Sequence, residues 1–517
     1  MLQINRLTIT HRKDLRTILQ DFQLVLNDGD KAVIIGEEGN GKSTLMRWIY
    51  QPELIKDYAE YEGTCTFENE YLGYLPQELP DQNKEQTIYE FFSEKDCFFD
   101  LTPKDLAMYA KDFQLDSGFF YSDQKLGSLS GGEKIKVQMI RLLIQAPTVL
   151  LLDEPSNDID IATLELLERI IKNWKHIVLY ISHDETLIEN TANIIIHMEQ
   201  LQRKNKCRYT VLRMPYNQYI REQRHQFERQ EQKAISDRRE KRIRDEKQKR
   251  IYQSVEHAQN IISRQNPAGG RLLKKKMHAV KSMERRFQKK DEQMTALPEQ
   301  EESIFFKLGE NQAAIPAGKI VLEYDLKKLY TPDGMRQLST DIFLRMKGSE
   351  KVCIVGINGA GKTTLLKEIA RQLLSRTDIH AEYMPQNYDE LLTLDMTPVD
   401  YLDTSGEKEN RTKICTCLGS LKFTTNEMRH PISELSGGQK AKVLLLKMSL
   451  SQANVLILDE PTRNFSPLSG PVLRKMLRAF PGAVISISHD RKYMKEVCDT
   501  VYELTAEGLI SRSGAFL

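Results

Sequence analysis

Two stretches of the chain follow one pattern: Gly36-Glu37-Glu38-Gly39-Asn40-Gly41-Lys42-Ser43-Thr44 and Gly356-Ile357-Asn358-Gly359-Ala360-Gly361-Lys362-Thr363-Thr364. Each follows a run of four apolar residues and predicts a strand, a glycine loop and a helix start. Glycines let successive backbone N–H groups close around phosphate oxygens at the positive end of a helix. The sequence thus predicts two phosphate-binding loops. Lys42 and Lys362 would reach the outer phosphates, and Ser43 and Thr363 would bind Mg²⁺.

A second repeated pattern is an apolar strand that ends in two carboxylates. The first copy ends in Asp153 and Glu154, the second in Asp459 and Glu460, and a proline follows each pair. We expect the two aspartates to hold Mg²⁺ through water, because they lie at the strand ends. The two glutamates point onward, and each could polarise the water that attacks the terminal phosphate.

A third pattern is a Leu-Ser-Gly-Gly sequence at a predicted helix start, where a serine and bare amides can meet phosphate. It occurs twice, 24 residues before each strand-end aspartate, at Leu129-Ser130-Gly131-Gly132 and Leu435-Ser436-Gly437-Gly438. His183 and His489 each lie 30 residues after that aspartate, and Gln77 and Gln386 each follow a proline. An offset of 306 residues relates three of these features, so the chain holds two homologous domains.

This set resembles the ATP-binding cassette superfamily, with its Walker A, Q-loop, signature, Walker B, D-loop and H-loop in order in both halves. The resemblance implies that the loop side of one cassette and the signature of the other enclose each ATP and Mg²⁺. It also implies catalytic roles for both histidines and metal contacts for both glutamines. Site one would combine Lys42, Ser43, Gln77, Asp153, Glu154 and His183 with Ser436 and Gly438. Site two would combine Lys362, Thr363, Gln386, Asp459, Glu460 and His489 with Ser130 and Gly132.

The two copies differ after the paired carboxylates. Copy one reads Ser156-Asn157-Asp158-Ile159-Asp160, an acid-ending D-loop, whereas copy two reads Thr462-Arg463-Asn464-Phe465-Ser466-Pro467. Both glutamates are present, so we predict two ATP sites with unequal hydrolysis rates.

Tyr330 lies 26 residues before the second loop, and His11 lies in the corresponding region of copy one. Tyr330 could stack on adenine, and for both Tyr330 and His11 the alternative is a plain surface or core role.

Charge is unevenly distributed along the chain. The 74 basic and 73 acidic residues nearly cancel, but residues 221–290 hold 22 basic and nine acidic ones, a balance of +13. The other 447 residues hold 52 and 64, a balance of −12. Surplus positive charge along a rod attracts phosphate backbones. The alternative is a solvated hairpin that only spaces the two domains.

The basic segment is predicted to be a helical hairpin. One stretch without Pro or Gly follows Pro215 to about Ile262, and a second follows the turn at 266–270 to about Ala296. Apolar residues recur every seven positions in the second helix, at Leu273, Val280, Phe287 and Met294. The first helix has a sparser stripe of Phe227, Ile235, Ile243 and Ile251.

The fold class is therefore α/β, with two P-loop ATP-binding cassette domains joined by an α-helical hairpin linker. We expect cassette domain one at 1–212, the linker at 213–300 with its tip at about 254–272, and cassette domain two at 301–517. This arrangement resembles the ABC-F proteins. The resemblance implies a bacterial 70S ribosome as partner, with the linker reaching from the E site toward the peptidyl-transferase centre, 23S rRNA and P-site tRNA.

A short interval separates Q-loop and signature in both copies. Gln77 to Leu129 spans 52 positions and Gln386 to Leu435 spans 49, which leaves no room for the arm of housekeeping translation factors. The chain thus resembles the antibiotic-resistance branch, which protects the 50S centre from lincosamide, pleuromutilin and streptogramin A drugs. ATP would close the cassettes, and hydrolysis would allow release.

Three other functions stay open: the ATPase component of a transporter with separate membrane subunits, a housekeeping ABC-F factor, and a DNA-repair ATPase. No stretch approaches the roughly 20 apolar residues that cross a bilayer, so no membrane insertion is expected. The first residues alternate like a strand instead of an export signal, and the seven cysteines are scattered. We expect a cytoplasmic monomer in which the two cassettes pair with each other.

Overall fold

The computed structural model describes residues 1–13, 15–67, 70–116, 118–157, 159–201, 206–261, 267–292, 315–403 and 406–512. Met1–Tyr216 and Glu301–Leu517 together form one compact unit, and Asn217–Gln300 forms a second. The first unit contains both repeats, which we call cassette one and cassette two. The expected domain boundaries at residues 212 and 300 stay predictions.

In its described residues, cassette one combines a six-stranded sheet, a three-stranded sheet and seven α-helices. Its strands are β1 (Leu2–His11), β2 (Thr17–Leu26), β3 (Lys31–Ile35), β4 (Ala59–Phe67), β5 (Leu72–Leu75), β6 (Val149–Asp153), β7 (Ile177–Ile181), β8 (Ile194–Leu201) and β9 (Lys206–Leu212). Its helices are α1 (Lys42–Tyr50), α2 (Asp81–Lys84), α3 (Ile88–Ser93), α4 (Pro103–Asp112), α5 (Gly131–Ile144), α6 (Ile161–Asn173) and α7 (Glu185–Thr191).

The second unit contains α8 (Tyr216–Ile261) from its second residue onward and α9 (Pro267–Glu292). The part of cassette two that the structure describes has a six-stranded sheet and a two-stranded sheet. Its strands are β10 (Ile320–Tyr330), β11 (Gln337–Lys347), β12 (Lys351–Val355), β13 (Ala381–Met384), β14 (Val455–Asp459), β15 (Ala483–Ile487), β16 (Thr500–Thr505) and β17 (Gly508–Ser511). Its helices are α10 (Lys362–Leu374), α11 (Pro398–Leu402), α12 (Lys408–Ser420), α13 (Thr425–Arg429), α14 (Gly437–Leu450), α15 (Gly470–Ala479) and α16 (Arg491–Val497).

The two large sheets have matching strand orders, β5-β6-β7-β3-β8-β9 and β13-β14-β15-β12-β16-β17. Their strands are parallel except for the antiparallel last pair of each sheet. All residues of β3, β6 and β7 are buried, as expected for parallel strands covered on both faces. Parallel strands end at one edge, so the glycine loop after β3 and the carboxylates after β6 come together there.

The basic segment forms the two predicted helices, with one correction. α9 begins at Pro267, so the predicted turn at 266–270 is wrong from that residue onward. Proline is compatible with a first helical position because the N–H it lacks has no partner there. The predicted tip includes residues 262–266, and the predicted helix end includes 293–296; both lie outside the described residues.

The stripe proposed for α8 is wrong for Ile235 and Ile243, which are 56% and 58% exposed. Residues spaced by eight advance about 80° around a helix at each step, so they cannot line one face. Ala234 is buried instead, and Lys241 and Arg244 both pair with Asp291 of α9. The two helices therefore contact each other partly through charged side chains.

Candidate functional site

The glycine loop of cassette one joins β3 to α1. Its three glycines have positive φ angles of 149°, 76° and 85°, at Gly36, Gly39 and Gly41. A Cβ on Gly36 would lie 2.3 Å from the carbonyl oxygen of Met198, so a side chain is excluded there. Lys42 is buried, and its Nζ donates to the carbonyl oxygens of Gly36 at 2.9 Å and Glu37 at 3.2 Å. The ammonium therefore lies within the curve of the loop.

The loop of cassette two, between β12 and α10, repeats this geometry. The corresponding φ angles are 148°, 79° and 96°, at Gly356, Gly359 and Gly361. Lys362 Nζ donates to the carbonyl oxygens of Gly356 at 2.7 Å and Ile357 at 3.0 Å. Thr44 and Thr364 lie in the first turns of α1 and α10. Both loops thus form the predicted strand, loop and helix.

Asn40, one of the predicted loop residues, makes a hydrogen bond within the protein. Asn40 is buried, and its side-chain amide donates to the carbonyl oxygen of Met198 in β8 at 2.9 Å. The side chain therefore fixes the loop against the sheet, and Ala360 holds the corresponding position in cassette two.

A hydroxyl meets an aspartate at the strand end in both cassettes. Ser43 Oγ donates to Asp153 Oδ1 at 2.9 Å, and Thr363 donates to Asp459. Burial raises the pKa of each aspartate to about 6. Asp459 Oδ2 is buried and has no hydrogen-bond partner among the described residues. Hydroxyl and carboxylate oxygens are the ligands that Mg²⁺ prefers, so the residues present fit that ion.

Glu154 is held as an ionised carboxylate. Its Oε2 accepts from Gln77 Nε2 at 2.9 Å and from Asn157 Nδ2 at 2.6 Å, and His183 Nε2 lies 3.3 Å from Oε1. Burial alone would raise the pKa, but His183, Lys42 and Asn157 outweigh it and hold the pKa at about 2. Gln77 therefore contacts the glutamate with its amide nitrogen.

Glu460 has a different environment. Burial and the neighbouring Asp459 raise its pKa to about 8, against the opposing effect of Lys362. His489 Nε2 lies 3.6 Å from Glu460 Oε1, and burial and Lys362 lower the pKa of His489 to about 3. Both glutamates nevertheless have the same backbone angle, φ 51°, in the left-handed region that non-glycine residues rarely adopt. This shared strain at equivalent positions is typical of a functional site.

The two histidines differ in their second ring nitrogen. His183 Nδ1 lies 2.7 Å from the carbonyl oxygen of Phe465 in cassette two. His489 Nδ1 is buried and has no hydrogen-bond partner among the described residues. The variant segment of cassette two thus supports the histidine of cassette one. In the D-loop of cassette one, Asp160 caps α6 by accepting from the Thr163 N–H at 2.8 Å, whereas Asp158 lies outside the described residues.

The signature sequences begin α5 and α14 as predicted. Ser130 and Ser436 each cap their helix by accepting the backbone N–H three residues on, at 3.3 Å and 3.4 Å. A cavity of about 930 Å³ is lined by predicted site residues of both cassettes. Its lining includes Ser130, Gly131, His183, Asn358, Gly359, Gly361, Lys362, Thr363, Thr364, Gln386, Gly437, Asp459, Glu460 and His489. The structure therefore brings the signature of cassette one to the loop of cassette two.

Glu38 is a site residue that the sequence reasoning missed. The N–H of Gly438, at the start of α14, donates to Glu38 Oε2 at 2.5 Å. At the equivalent position in cassette two, Asn358 Nδ2 lies 3.3 Å from where a Cβ on Gly132 would be. One signature helix thus faces a carboxylate and the other an amide. The available signal was the difference between Glu38 and Asn358 in the two loops.

Tyr330 ends β10 and is 43% exposed. The cavity lining among the described residues includes the next residue, Thr331, and Leu338 of β11, but not Tyr330. Stacking of Tyr330 on a base stays a prediction.

The family described as ABC transporter matches residues 19–157 and 339–463, which cover both glycine loops, both signatures and both carboxylate pairs. The chain belongs to this family. Its two mixed α/β domains are ATP-binding cassettes of the ABC transporter family, with a helical region between them in the sequence. The ATP-binding domains of this family are ATPases, and so is this chain. No described helix is both long and apolar enough to span a bilayer.

Curated relatives include members of the ABC-F group. The chain is 28% identical to ATP-binding protein Uup of Escherichia coli, over 96% of this chain and 79% of that protein. It is 26% identical to Ribosome protection protein VmlR of Bacillus subtilis, over 96% and 85%. It is 24% identical to ABC transporter F family member 2 of Arabidopsis thaliana, over 97% and 76%.

Solved structures show the same fold. The archaeal ribosome recycling factor aABCE1, solved in complex with the ribosomal stalk protein aP1, matches with a TM-score of 0.58 at 16% identity. The match covers 98% of this chain and 90% of that one. At this identity the likeness establishes the fold alone.

Proposed function

We propose that this ATPase binds the bacterial 70S ribosome and acts on it through the basic hairpin. The observation that carries the proposal is the 22 basic against nine acidic residues at 221–290, between two ATPase cassettes whose own surplus is acidic. A positively charged rod binds phosphate backbones by releasing their counterions. Hydrolysis alone requires no such segment. The similarity to Ribosome protection protein VmlR supports the same reading.

Each ATP binds between the glycine loop of one cassette and the signature of the other. Lys42 and Lys362 bind the outer phosphates, and the amides of the Ser130 and Ser436 helices bind the terminal one. Mg²⁺, when bound, neutralises phosphate charge. Its ligands come from Ser43, Gln77 and Asp153 in site one, and from Thr363, Gln386 and Asp459 in site two.

Glu154 and Glu460 are the general bases for the attacking water. A carboxylate accepts the proton of that water as it attacks the terminal phosphate. His183 and His489 orient these carboxylates and contact the terminal phosphate. Since ATP bridges the cassettes, its binding favours the closed state, and hydrolysis removes the bridge and allows release.

In the finer form of the proposal, the hairpin protects the 50S peptidyl-transferase centre from lincosamide, pleuromutilin and streptogramin A drugs. The linker enters from the E site, and its tip at about 254–272, of which 262–266 lie outside the described residues, acts on the drug site, 23S rRNA or P-site tRNA. The short Q-loop to signature interval supports this form over a housekeeping factor. The chain acts in the cytoplasm as a monomer.

The first experiment is ribosome co-sedimentation of the doubly substituted Glu154→Gln, Glu460→Gln chain. It should accumulate on 70S ribosomes with ATP, because the closed state cannot be released by hydrolysis. The matched control, Lys42→Ala with Lys362→Ala, should stay in the supernatant at the same ATP concentration. Absence of the first variant from the ribosome pellet would contradict ribosome binding and favour a transporter or DNA-repair ATPase.

The second experiment tests drug protection by itself. Deletion of the gene should lower the inhibitory concentration of at least one of the three drug classes, and the wild-type chain should restore it. The chain with Lys274, Lys275 and Lys276 changed to Glu should not restore it, although its ATPase rate without ribosomes is unchanged. Ribosome binding with unchanged drug sensitivity would favour the housekeeping factor.

A further inference from the structure

Two ion pairs join the cassettes on helices that carry no proposed nucleotide ligand. Arg474 of α15 donates to Glu185 of α7, with Nη1 2.6 Å from Oε1, and the two side chains are only 3% and 8% exposed. Arg491 of α16 donates to Glu168 of α6 at 3.1 Å from both terminal nitrogens. Pairing with Glu185 and Glu496 raises the pKa of Arg474, although burial alone would lower it. The Arg474 guanidinium therefore stays charged in its buried position.

These four residues occupy only two positions of the repeat. An offset of 306 residues makes Glu168 equivalent to Arg474, and Glu185 equivalent to Arg491. The two ion pairs thus join the same two positions with the cassettes exchanged, as a two-fold interface requires. Yet both cassette-one members are acidic and both cassette-two members are basic.

Further salt bridges between the cassettes have the same polarity. Lys492 Nζ lies 3.1 Å from Glu185 and also pairs with Glu189, and Lys442 lies 3.9 Å from Glu37. In each of these bridges cassette one supplies the acid and cassette two the base. We call Glu168, Glu185 and Glu189 the acidic face, and Arg474, Arg491 and Lys492 the basic face.

The two-fold symmetry determines which charged residues would meet if two copies of the same cassette paired. If two copies of cassette one met in this geometry, Glu168 would face Glu185 twice. Two copies of cassette two would place Arg474 against Arg491 twice. Like charges at buried positions are strongly unfavourable because neither is compensated and both lose water. Only a cassette-one surface against a cassette-two surface satisfies all four groups.

We propose that the acidic face and the basic face form a pairing code: the acidic face accepts a cassette that bears the basic face and rejects a second copy of itself. The occupant of the acidic face is cassette two of the same chain. The code keeps two chains from associating through like cassettes, and it determines which signature meets which glycine loop. Specific interfaces use such repulsion against wrong partners as well as attraction to the right one. Contacts between the cassettes create this code, which does not depend on ribosome binding.

Two full-length variants with the same net charge as the native chain test the code. In the swapped chain, Glu168→Arg and Glu185→Arg are combined with Arg474→Glu and Arg491→Glu, so the two symmetry-related pairs, Glu185 with Arg474 and Glu168 with Arg491, stay complementary. In the crossed chain, only Glu185→Arg and Arg491→Glu are made. Like charges then meet within one chain, whereas two copies of the same cassette become complementary.

We expect the swapped chain to be monomeric and to keep its ATPase rate within about threefold of the native chain. The ATPase rate of the crossed chain should be lower by about tenfold or more, and with ATP the crossed chain should sediment as a dimer of chains. Analytical ultracentrifugation and phosphate release measure both properties. A swapped chain as inactive as the crossed chain, or a crossed chain that is active or monomeric, would overturn the proposal.

A milder series covers the case in which buried substitutions prevent folding. Glu168 and Arg491 are 17% and 21% exposed, so this pair tolerates exchange better. Arg491→Glu alone should lower the ATPase rate, and addition of Glu168→Arg should restore it. Glu53→Arg with Asp81→Arg, at side chains 57% and 93% exposed, reverses two charges away from the interface and should leave the rate unchanged. Failure of the second substitution to restore the rate would overturn the code.

Discussion

The two proposed nucleotide sites are built from equivalent residues but differ in the charge of the glutamate that follows the strand-end aspartate. Site one has an ionised glutamate, with a pKa of about 2, held by Gln77, Asn157 and His183. In site two the pKa of Glu460 is about 8, so this glutamate is protonated at neutral pH. The two proposed bases thus occupy equivalent positions, but Glu154 is already ionised and Glu460 must first lose a proton.

The sites also differ where the terminal phosphate would bind. The signature helix of site one meets the Glu38 carboxylate, whereas that of site two faces the Asn358 amide. A carboxylate on helix N–H groups competes with an anionic ligand for the same donors. We therefore expect hydrolysis to be faster in site one and ATP binding to be weaker there than in site two. A repeat can keep its motifs and still divide binding from turnover.

The largest expected effect is on the two glutamates. Glu154→Gln should lower steady-state turnover about 100-fold, since it removes the carboxylate that is already ionised. Glu460→Gln should cost less than about threefold at neutral pH, because the native group is mostly protonated there. Phosphate release by each purified variant measures the difference. Equal losses of turnover would show that the two sites work as one unit and would contradict the expected difference in their hydrolysis rates.

The next effect concerns Glu38. Glu38→Asn gives site one the residue of site two and should lower the ATP concentration for half-maximal turnover about tenfold, with little change in the maximal rate. The matched control, Asn358→Glu, should raise the ATP requirement of site two. Titration with a fluorescent ATP analogue separates the sites in the Lys42→Ala and Lys362→Ala backgrounds. An unchanged affinity of site one would mean that Glu38 does not compete with phosphate.

A smaller effect is expected from pH. In the Glu154→Gln background the remaining turnover comes from site two, whose base ionises as the pH rises through about 8. That turnover should increase about fivefold between about pH 7 and pH 8. In the Glu460→Gln background turnover should be flat over this range, because the pKa of Glu154 is about 2 and its charge does not change. A rising profile in both backgrounds would assign the pH dependence to a group outside the two sites.

Much of this site was predictable from the sequence because its motifs depend on backbone geometry. Positive φ at Gly41 and Gly361, and the serine caps of α5 and α14, require particular residue types at fixed spacing. The same holds for the fully buried strands, which appear as continuous apolar runs. Local chemistry and the fold agree at these positions, so the pattern alone identifies them.

What the sequence could not predict depends on contacts between distant parts of the chain. The carbonyl oxygen of Phe465 contacts His183, and the Glu38 carboxylate accepts from the Gly438 N–H. The difference between Glu38 and Asn358 marks the position in the loop, but the sequence does not identify the partner in either contact. The α8 stripe failed for a different reason. Apolar residues at a regular spacing of eight suggest a stripe in the sequence, but successive residues at that spacing lie on different faces of the helix. Ile235 and Ile243 are accordingly exposed.

The smallest expected effect is at Tyr330, and it tests whether site two holds its base through an aromatic ring. The ring is 43% exposed, while Thr331 and Leu338 lie in the cavity wall. Tyr330→Ala should therefore change the ATP requirement of site two by less than about twofold. The loss of a stacking partner usually costs about 1–3 kcal/mol in binding free energy, which is a larger change. His11→Ala is the matched change in cassette one. A tenfold loss of affinity for ATP and an equal loss for GTP would show that the ring moves onto the base when nucleotide binds.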